Sequence, residues 1–86
     1  MGTLHVTVYG APGCFRCTQT VRRFQSLGVE PDVVDITANE PAAQELREAG
    51  FQELPVVTTG EDYWTGFRLD RIREAAAKMT GEPLAS

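Results

Sequence analysis

The 86-residue sequence lacks long apolar stretches and an excess of basic residues, which are the features of membrane-spanning and nucleic-acid-binding proteins. No stretch approaches the roughly 20 apolar residues of a transmembrane helix, and the first residues lack the basic and then apolar pattern of a signal peptide. The net charge of −4 argues against general nucleic-acid binding, which needs a basic face. We therefore expect a cytoplasmic protein that binds neither membrane nor nucleic acid.

Acidic residues are absent from the first 29 positions, and all twelve Asp and Glu residues follow. Three arginines, Arg16, Arg22 and Arg23, lie in this acid-free segment. The segment is therefore electropositive, which favours the thiolate form of a nearby cysteine. For Arg22 and Arg23, and for the later arginines Arg68, Arg71 and Arg73, the simplest interpretation is a solvated helix surface, and contact with an acidic partner is the alternative.

Cysteine is scarce, and the two that occur, Cys14 and Cys17, are separated by two residues. In a reducing compartment a close CxxC pair is typically redox-active or metal-binding. A disulfide that closes so short a loop would stabilise the fold by only about 2 kcal/mol before strain. A structural role for the pair is therefore a poor explanation.

Zinc binding is the main alternative for these cysteines, and it requires further ligands. A closed structural zinc site takes four, and the sequence offers one histidine, His5, on a predicted strand. A half-exposed strand residue is the simpler interpretation of His5. Redox chemistry is therefore favoured over zinc binding, which would need two copies of the chain to share one ion.

Hydrophobic periodicity predicts alternating strands and helices along the whole chain. A glycine follows each predicted helix, and Thr37 with Glu40 fits a capping box at the start of the second helix. The expected elements are a strand at 4–9, a helix at 14–27, a strand at 31–36, a helix at 37–49, strands at 54–58 and 63–65, and a helix at 69–79.

The same periodicity predicts which helical side chains are buried. The expected positions are Cys17, Val21, Phe24 and Gly28 in the first helix, Ala42, Leu46 and Ala49 in the second, and Leu69, Ile72, Ala76 and Met79 in the last. Cys14 would then lie exposed at the tip of the first helix, with Cys17 one turn further in.

The order β-α-β-α-β-β-α predicts an α/β fold, with a four-stranded mixed sheet flanked by three helices on its two faces. The chain is expected to form one domain over residues 1–80, followed by a flexible tail at 81–86. The cysteines follow the first strand, at the sheet edge where open α/β folds build their sites.

Three features together resemble the thioredoxin fold in its short glutaredoxin form: the CxxC after the first strand, the proline that begins the third strand, and the β-β-α ending. Segments 54–57 (LPVV) and 64–70 (WTGFRLD) resemble those of the NrdH-redoxins, whose usual second segment is WSGFRPD. The resemblance extends over residues 4–79. Two departures are Leu69 in place of the family proline, and Phe15-Arg16 between the cysteines in place of Val-Gln.

The resemblance implies a role for each matching residue. Cys14 would be the nucleophile and Cys17 the resolving thiol, with Pro55 as a cis-proline that faces them. The backbone of Leu54 would pair with a bound substrate chain. The remaining residues implied at the partner-binding surface are Phe15, Arg16, Trp64, Thr65, Gly66 and Phe67.

Two of these assignments carry further expectations. Trp64 and Phe67 taken alone favour core filling, whereas the resemblance implies partial exposure beside the dithiol. Arg16 between the cysteines is expected to stabilise the Cys14 thiolate and make the couple more oxidising.

The resemblance implies a thiol–disulfide oxidoreductase that carries electrons and holds no bound cofactor beyond its reversible Cys14–Cys17 disulfide. Thioredoxin reductase would reduce it, so NADPH would act only indirectly, and the large subunit of class Ib ribonucleotide reductase would be its client. We expect a monomer. The alternatives are a glutathione-dependent glutaredoxin and, more distantly, a non-enzymatic zinc-binding or interaction module.

Overall fold

The computed structural model describes residues 5–60 and 62–80, and the statements below refer to these residues. The elements follow the predicted order: β1 (Thr7–Gly10), α1 (Phe15–Ser26), β2 (Asp32–Asp35), α2 (Glu40–Glu48), β3 (Val56–Thr58), β4 (Tyr63–Thr65) and α3 (Leu69–Thr80). The predicted strand residue Leu4 and the predicted tail at 81–86 lie outside the described residues. No helix in the described part is long and apolar enough to cross a bilayer.

The four strands form one mixed sheet in the order β2-β1-β3-β4. β1 runs parallel to β2, as expected for two strands joined through a helix. β1 is antiparallel to β3, and β3 is antiparallel to β4. Between β3 and β4, the Thr59 N–H donates to the Asp62 carbonyl at 3.0 Å. The mixed sheet and three helices confirm the predicted fold class.

The main core lies between one face of the sheet and the helices α1 and α3. Val8 of β1, Phe24 of α1 and Ile72 of α3 are at most 1% exposed. Burying side chains of this size contributes about 1.5–3 kcal/mol each. Phe24 also stacks against Trp64 of β4, with ring centroids 6.4 Å apart. On the opposite face, α2 lies near Tyr9, and both line a shallow pocket.

The predicted cap of α2 is wrong, because Asn39 takes the position assigned to Thr37. The Thr37 N–H and hydroxyl both donate to Asp35 Oδ1, at 2.9 and 2.6 Å, in a turn that ends β2. The helix therefore begins two residues later, where Asn39 Oδ1 accepts from the Ala42 N–H at 3.1 Å. Glu40 does not close a capping box, since its carboxylate accepts a hydrogen bond from Arg47.

The burial prediction for α1 is correct for Cys17 and Phe24 and wrong for Gly28. Gly28 follows the helix end and is exposed. Thr20, which was not predicted, is fully buried. Its burial is possible because its hydroxyl donates to the Arg16 carbonyl at 2.8 Å, which satisfies the polar group locally.

Two further burial predictions fail at helix ends. Ala49 is exposed because α2 ends at Glu48, and Ala43 is buried instead. Leu69 is 37% exposed because it is the first residue of α3, ahead of the turn that packs on the sheet. The central positions of α3, Ile72 and Ala76, are buried as predicted.

Candidate dithiol active site

The turn between β1 and α1 places Cys14 at the N-cap of the helix. Gly13 adopts a left-handed conformation with φ of 82°, which glycine tolerates without steric cost. Cys14 is extended, and its Sγ accepts a hydrogen bond from the Cys17 N–H at 3.2 Å. Because helix N-terminal N–H groups favour negative charge, this position stabilises a thiolate on Cys14 in the reduced protein.

Cys14 and Cys17 are joined by a disulfide, with Cα atoms 5.3 Å apart. Their surroundings differ, since Cys14 is partly exposed whereas Cys17 is 7% exposed. A Cβ added at Gly10 would lie 2.8 Å from Cys17 Sγ, so the strand backbone approaches this sulfur closely. Sequence reasoning missed Gly10, and its only signal was a glycine at the end of a strand just before the CxxC.

Pro55 belongs to the same end of the sheet as the dithiol. The Leu54–Pro55 peptide bond is cis, and Pro55 is fully buried. The next residue, Val56, pairs with Tyr9, so Pro55 lies beside the end of β1, where Gly10 meets Cys17. Leu54 is half-buried ahead of it.

The loop after β4 is attached to this end as well. The Gly66 N–H donates to the Pro55 carbonyl at 2.9 Å, and the Thr65 hydroxyl donates to Glu53 Oε1 at 3.1 Å. Gly66 is buried. Phe67, which follows it, is 37% exposed, so an aromatic side chain is available to a partner next to the Pro55 loop.

Trp64 lies in the core, so the partial exposure expected for it is wrong. Its side chain is 6% exposed, because strand register places it opposite Val57 on the face that α1 and α3 cover. Arg71 lies over the ring, 5.5 Å from its centroid. The interpretation based on its residue type alone, core filling, is therefore correct for Trp64.

Phe15 and Arg16, between the cysteines, both point to solvent. Phe15 is 73% exposed, which is the largest exposure of any bulky apolar side chain in the described residues. Arg16 is exposed and makes no ion pair within the described residues. Cys14 is thus followed in the chain by an accessible aromatic ring and by a cation that makes no ion pair in the described structure.

Two carboxyl groups have lowered pKa values. Hydrogen bonds from the Thr37 hydroxyl and N–H lower the pKa of Asp35, at the end of β2. A hydrogen bond from Arg68 lowers the pKa of Asp70, in the first turn of α3. Both groups are on the surface, so they matter for the pH dependence of stability more than for the dithiol.

A thioredoxin-like sheet with an exposed and a buried cysteine at a helix N-terminus defines a class of protein, the dithiol redoxins. The family model for glutaredoxin matches residues 6–64. The glutaredoxin-like protein NrdH of Salmonella typhimurium is 39% identical over 69 residues, which cover 80% of this chain and 85% of the relative. The chain therefore belongs to the glutaredoxin family, among the NrdH glutaredoxin-like proteins.

Solved structures agree with this placement. The glutaredoxin-like protein NrdH-redoxin from Escherichia coli is 34% identical with a TM-score of 0.79, and the match covers 81% of this chain and 92% of that chain. A glutaredoxin from Archaeoglobus fulgidus has 24% identity and a TM-score of 0.70, covers 86% of this chain and 87% of that chain, and shares the fold. The chain is a thiol–disulfide oxidoreductase of this family.

Proposed function

We propose that this redoxin is a cytoplasmic electron donor to protein disulfides, that thioredoxin reductase regenerates it, and that the large subunit of class Ib ribonucleotide reductase is its client. The redox class of the chain rests on its family, and the choice of partners is the proposal. The Escherichia coli NrdH-redoxin, a glutaredoxin-like protein with a thioredoxin-like activity profile, supports the proposal.

The proposed cycle is thiol–disulfide exchange between the dithiol and a client disulfide. The Cys14 thiolate attacks one sulfur of the client disulfide, forms a mixed disulfide, and releases the other client sulfur as a thiolate that takes up a proton. Cys17 then loses a proton and attacks Cys14 Sγ, which frees the second client thiol and leaves the Cys14–Cys17 disulfide. Two electrons pass to the client, and no other redox group takes part in the exchange.

The partner surface proposed for this cycle surrounds Cys14. Leu54 would align the client chain through its backbone, beside the cis-Pro55. Phe15 and Phe67 would supply apolar contact through their exposed rings. Trp64 would support this surface from the core, since its own side chain is only 6% exposed.

The observation that carries the preference for thioredoxin reductase is the absence of glutathione-recognition residues beside the CxxC. Glutaredoxins typically have a basic residue before the first cysteine and a Gly-Gly-x-Asp segment near the last helix. This chain has residues 11–13 (APG) in the first place and 64–67 (WTGF) in the second. An apolar surface without a cation before Cys14 suits a protein partner better than the glutathione carboxylates.

The test compares two electron sources for the same protein disulfide. NADPH consumption is measured with insulin as the disulfide substrate, first with thioredoxin reductase and then with glutathione plus glutathione reductase. We expect turnover with thioredoxin reductase and little with glutathione. A further arm replaces insulin with class Ib ribonucleotide reductase and measures deoxyribonucleotide formation, which tests the client separately.

A glutathione-dependent glutaredoxin is the second candidate function, and the match to the glutaredoxin family model favours it. Turnover only in the glutathione arm of the assay would establish this candidate and overturn the preferred one. A redoxin that reduces insulin with thioredoxin reductase but fails to support ribonucleotide reductase would keep the electron source and refute the client.

A further inference from the structure

A groove lies between α1 and β2, on the side of the dithiol helix away from α3. The core under α1 and α3 takes its side chains from β1, β3 and β4, so β2, at the edge of the sheet, is left uncovered on this face. The groove encloses about 410 Å³, a volume within the range of ligand sites. Its walls include Ala11, Pro12, Cys17, Val21, Arg22 and Val33.

The floor of this α1–β2 groove is apolar and open to solvent. Val33 of β2 is 59% exposed, although Val8 and Val34 line the same groove, and Val21 of α1 is only partly buried. Exposed valine costs free energy, of the order of 1 kcal/mol or more, that a partner side chain would recover by covering it. The groove therefore has room and chemistry for a branched apolar side chain.

The helix beside the groove carries positive charge without compensation. Arg22 lines the groove, and neither it nor Arg16 and Arg23 of the same helix makes an ion pair among the described residues. No acidic residue occurs before Glu30. The field along α1 therefore attracts a negatively charged group.

One carboxylate, Asp35, lies at the end of the groove near the turn that follows β2. Its Oδ1 already accepts two hydrogen bonds from Thr37, so this end is occupied by an anion. Asp32 and Asp35 lie at the two ends of β2, which is an edge strand. Asp32 contacts His5, so the carboxylate of Asp35 is the one that disfavours pairing with an acidic strand. Arg22 thus attracts an anionic partner, whereas the edge of β2 repels it. This favours a partner that inserts a side chain into the groove over one that adds a strand to β2.

We propose that the α1–β2 groove docks an acidic polypeptide segment of a redox partner, with a branched apolar side chain between Val21 and Val33 and a neighbouring carboxylate on Arg22. The segment lies against the buried Cys17 side of the dithiol and leaves the exposed Cys14 side free to react. The inference rests on the proposed function only in that the segment belongs to a partner in electron transfer.

The probe is a twelve-residue synthetic peptide of Asp and Glu with two central leucines, added to the full-length oxidised protein. Backbone amide shifts are followed by NMR for the protein and for the variants Arg22→Glu and Val33→Asp. Arg73→Glu is the matched control, because Arg73 is an exposed arginine on α3 that makes no ion pair in the described structure. Two control peptides carry either amides in place of the carboxylates or serines in place of the leucines.

We expect shifts that cluster at residues 18–25 and 33–35. Arg22→Glu and Val33→Asp should each raise the dissociation constant about five-fold or more, while Arg73→Glu should change it less than two-fold, since reversing a charge matters only where that charge meets the ligand. Both control peptides should bind more weakly. Shifts confined to Phe15 and Phe67, equal losses in Arg22→Glu and Arg73→Glu, no shifts at all, or self-association through the groove would each overturn the proposal.

The binding test and the electron-transfer assay fail independently. NMR titration uses the oxidised protein without a reductase, so absence of binding leaves the turnover result intact. Insulin reduction with thioredoxin reductase, measured on Arg22→Glu, reports whether the dithiol still works when the groove is changed. If the unaltered protein does not reduce insulin with thioredoxin reductase, the proposed function is refuted, whether or not the peptide binds.

Discussion

The two cysteine sulfurs are bonded to each other, yet their surroundings assign them different chemistry. Cys14 caps α1 and is partly exposed, whereas Cys17 is 7% exposed and lies against the Gly10 backbone. We expect a client disulfide to meet the partly exposed Cys14 sulfur first, because the Cys17 side chain is largely buried. The proposed order of attack, Cys14 before Cys17, is supported by this difference in access and by the helix N-terminus at Cys14.

This difference predicts opposite outcomes for two serine variants. Cys14→Ser should abolish disulfide reduction, because no thiolate is left at the exposed position. Cys17→Ser should instead accumulate a covalent complex with the client, since the second step cannot occur. Non-reducing gel electrophoresis and intact-mass spectrometry after incubation with a disulfide substrate would measure both.

The control for these variants is the addition of dithiothreitol, which should release the trapped client from Cys17→Ser. A stable mixed disulfide in Cys14→Ser and none in Cys17→Ser would reverse the assigned roles.

The CxxC spacing and the helix pattern were sufficient to predict which cysteine is exposed. The burial of Trp64 was not predicted by the resemblance, because it depends on the register that sets Trp64 opposite Val57.

Among the secondary-structure elements, α2 shows where sequence patterns are ambiguous. Thr37 and Asn39 are both suitable N-cap residues: the capping-box pattern favours Thr37, whereas intrinsic N-cap preference favours Asn39. Asp35 determines which residue caps α2, because its Oδ1 accepts hydrogen bonds from the Thr37 N–H and hydroxyl at the end of β2. Periodicity predicted the existence and order of every element, whereas the ends of helices depended on such competing contacts.

Removing the Asn39 cap should destabilise the protein. Asn39→Ala leaves the Ala42 N–H without its side-chain partner, at a cost of about 1 kcal/mol in the free energy of unfolding. Urea denaturation followed by circular dichroism would measure it. Asn39→Asp is the control and should retain most of the stability, because aspartate also caps. Equal stability of Asn39→Ala and the unaltered protein would show that the helix end is capped in another way.

Acidic residues are distributed unequally along the chain: the first third has none, and they occur throughout the remainder. Two of the later acids, Asp35 and Asp70, have pKa values below the ordinary 3.8. A lowered pKa in the folded state means that the unfolded state binds more protons in this range. The free energy of unfolding therefore rises with pH across the range in which these groups titrate. Their contribution is fully present above the pKa of the unfolded state and is lost as the pH falls through the pKa of the folded state.

This linkage predicts an acid-sensitive stability curve that a single substitution flattens. The urea midpoint should be nearly constant from about pH 5 to pH 7 and should fall below about pH 4 as the two carboxyl groups are protonated. Asp70→Asn should lower the midpoint near neutral pH and reduce its fall in acid. Arg68→Gln removes the hydrogen bond that lowers the pKa of Asp70, so it should flatten the curve similarly. Parallel curves for all three proteins would contradict the assignment.

The pairing of β1 with β3 has a consequence for synthesis of the chain on the ribosome. β1 is central in the sheet, but its antiparallel partner ends at Thr58, about 40 residues after Cys17. At translation rates of about 5–20 residues per second, both thiols are made about 2–8 s before the strand that follows Pro55 is complete. During that interval the nascent dithiol lacks its Pro55 neighbour, so the chain around Pro55 can influence the reactivity of the two thiols only after β3 has been made.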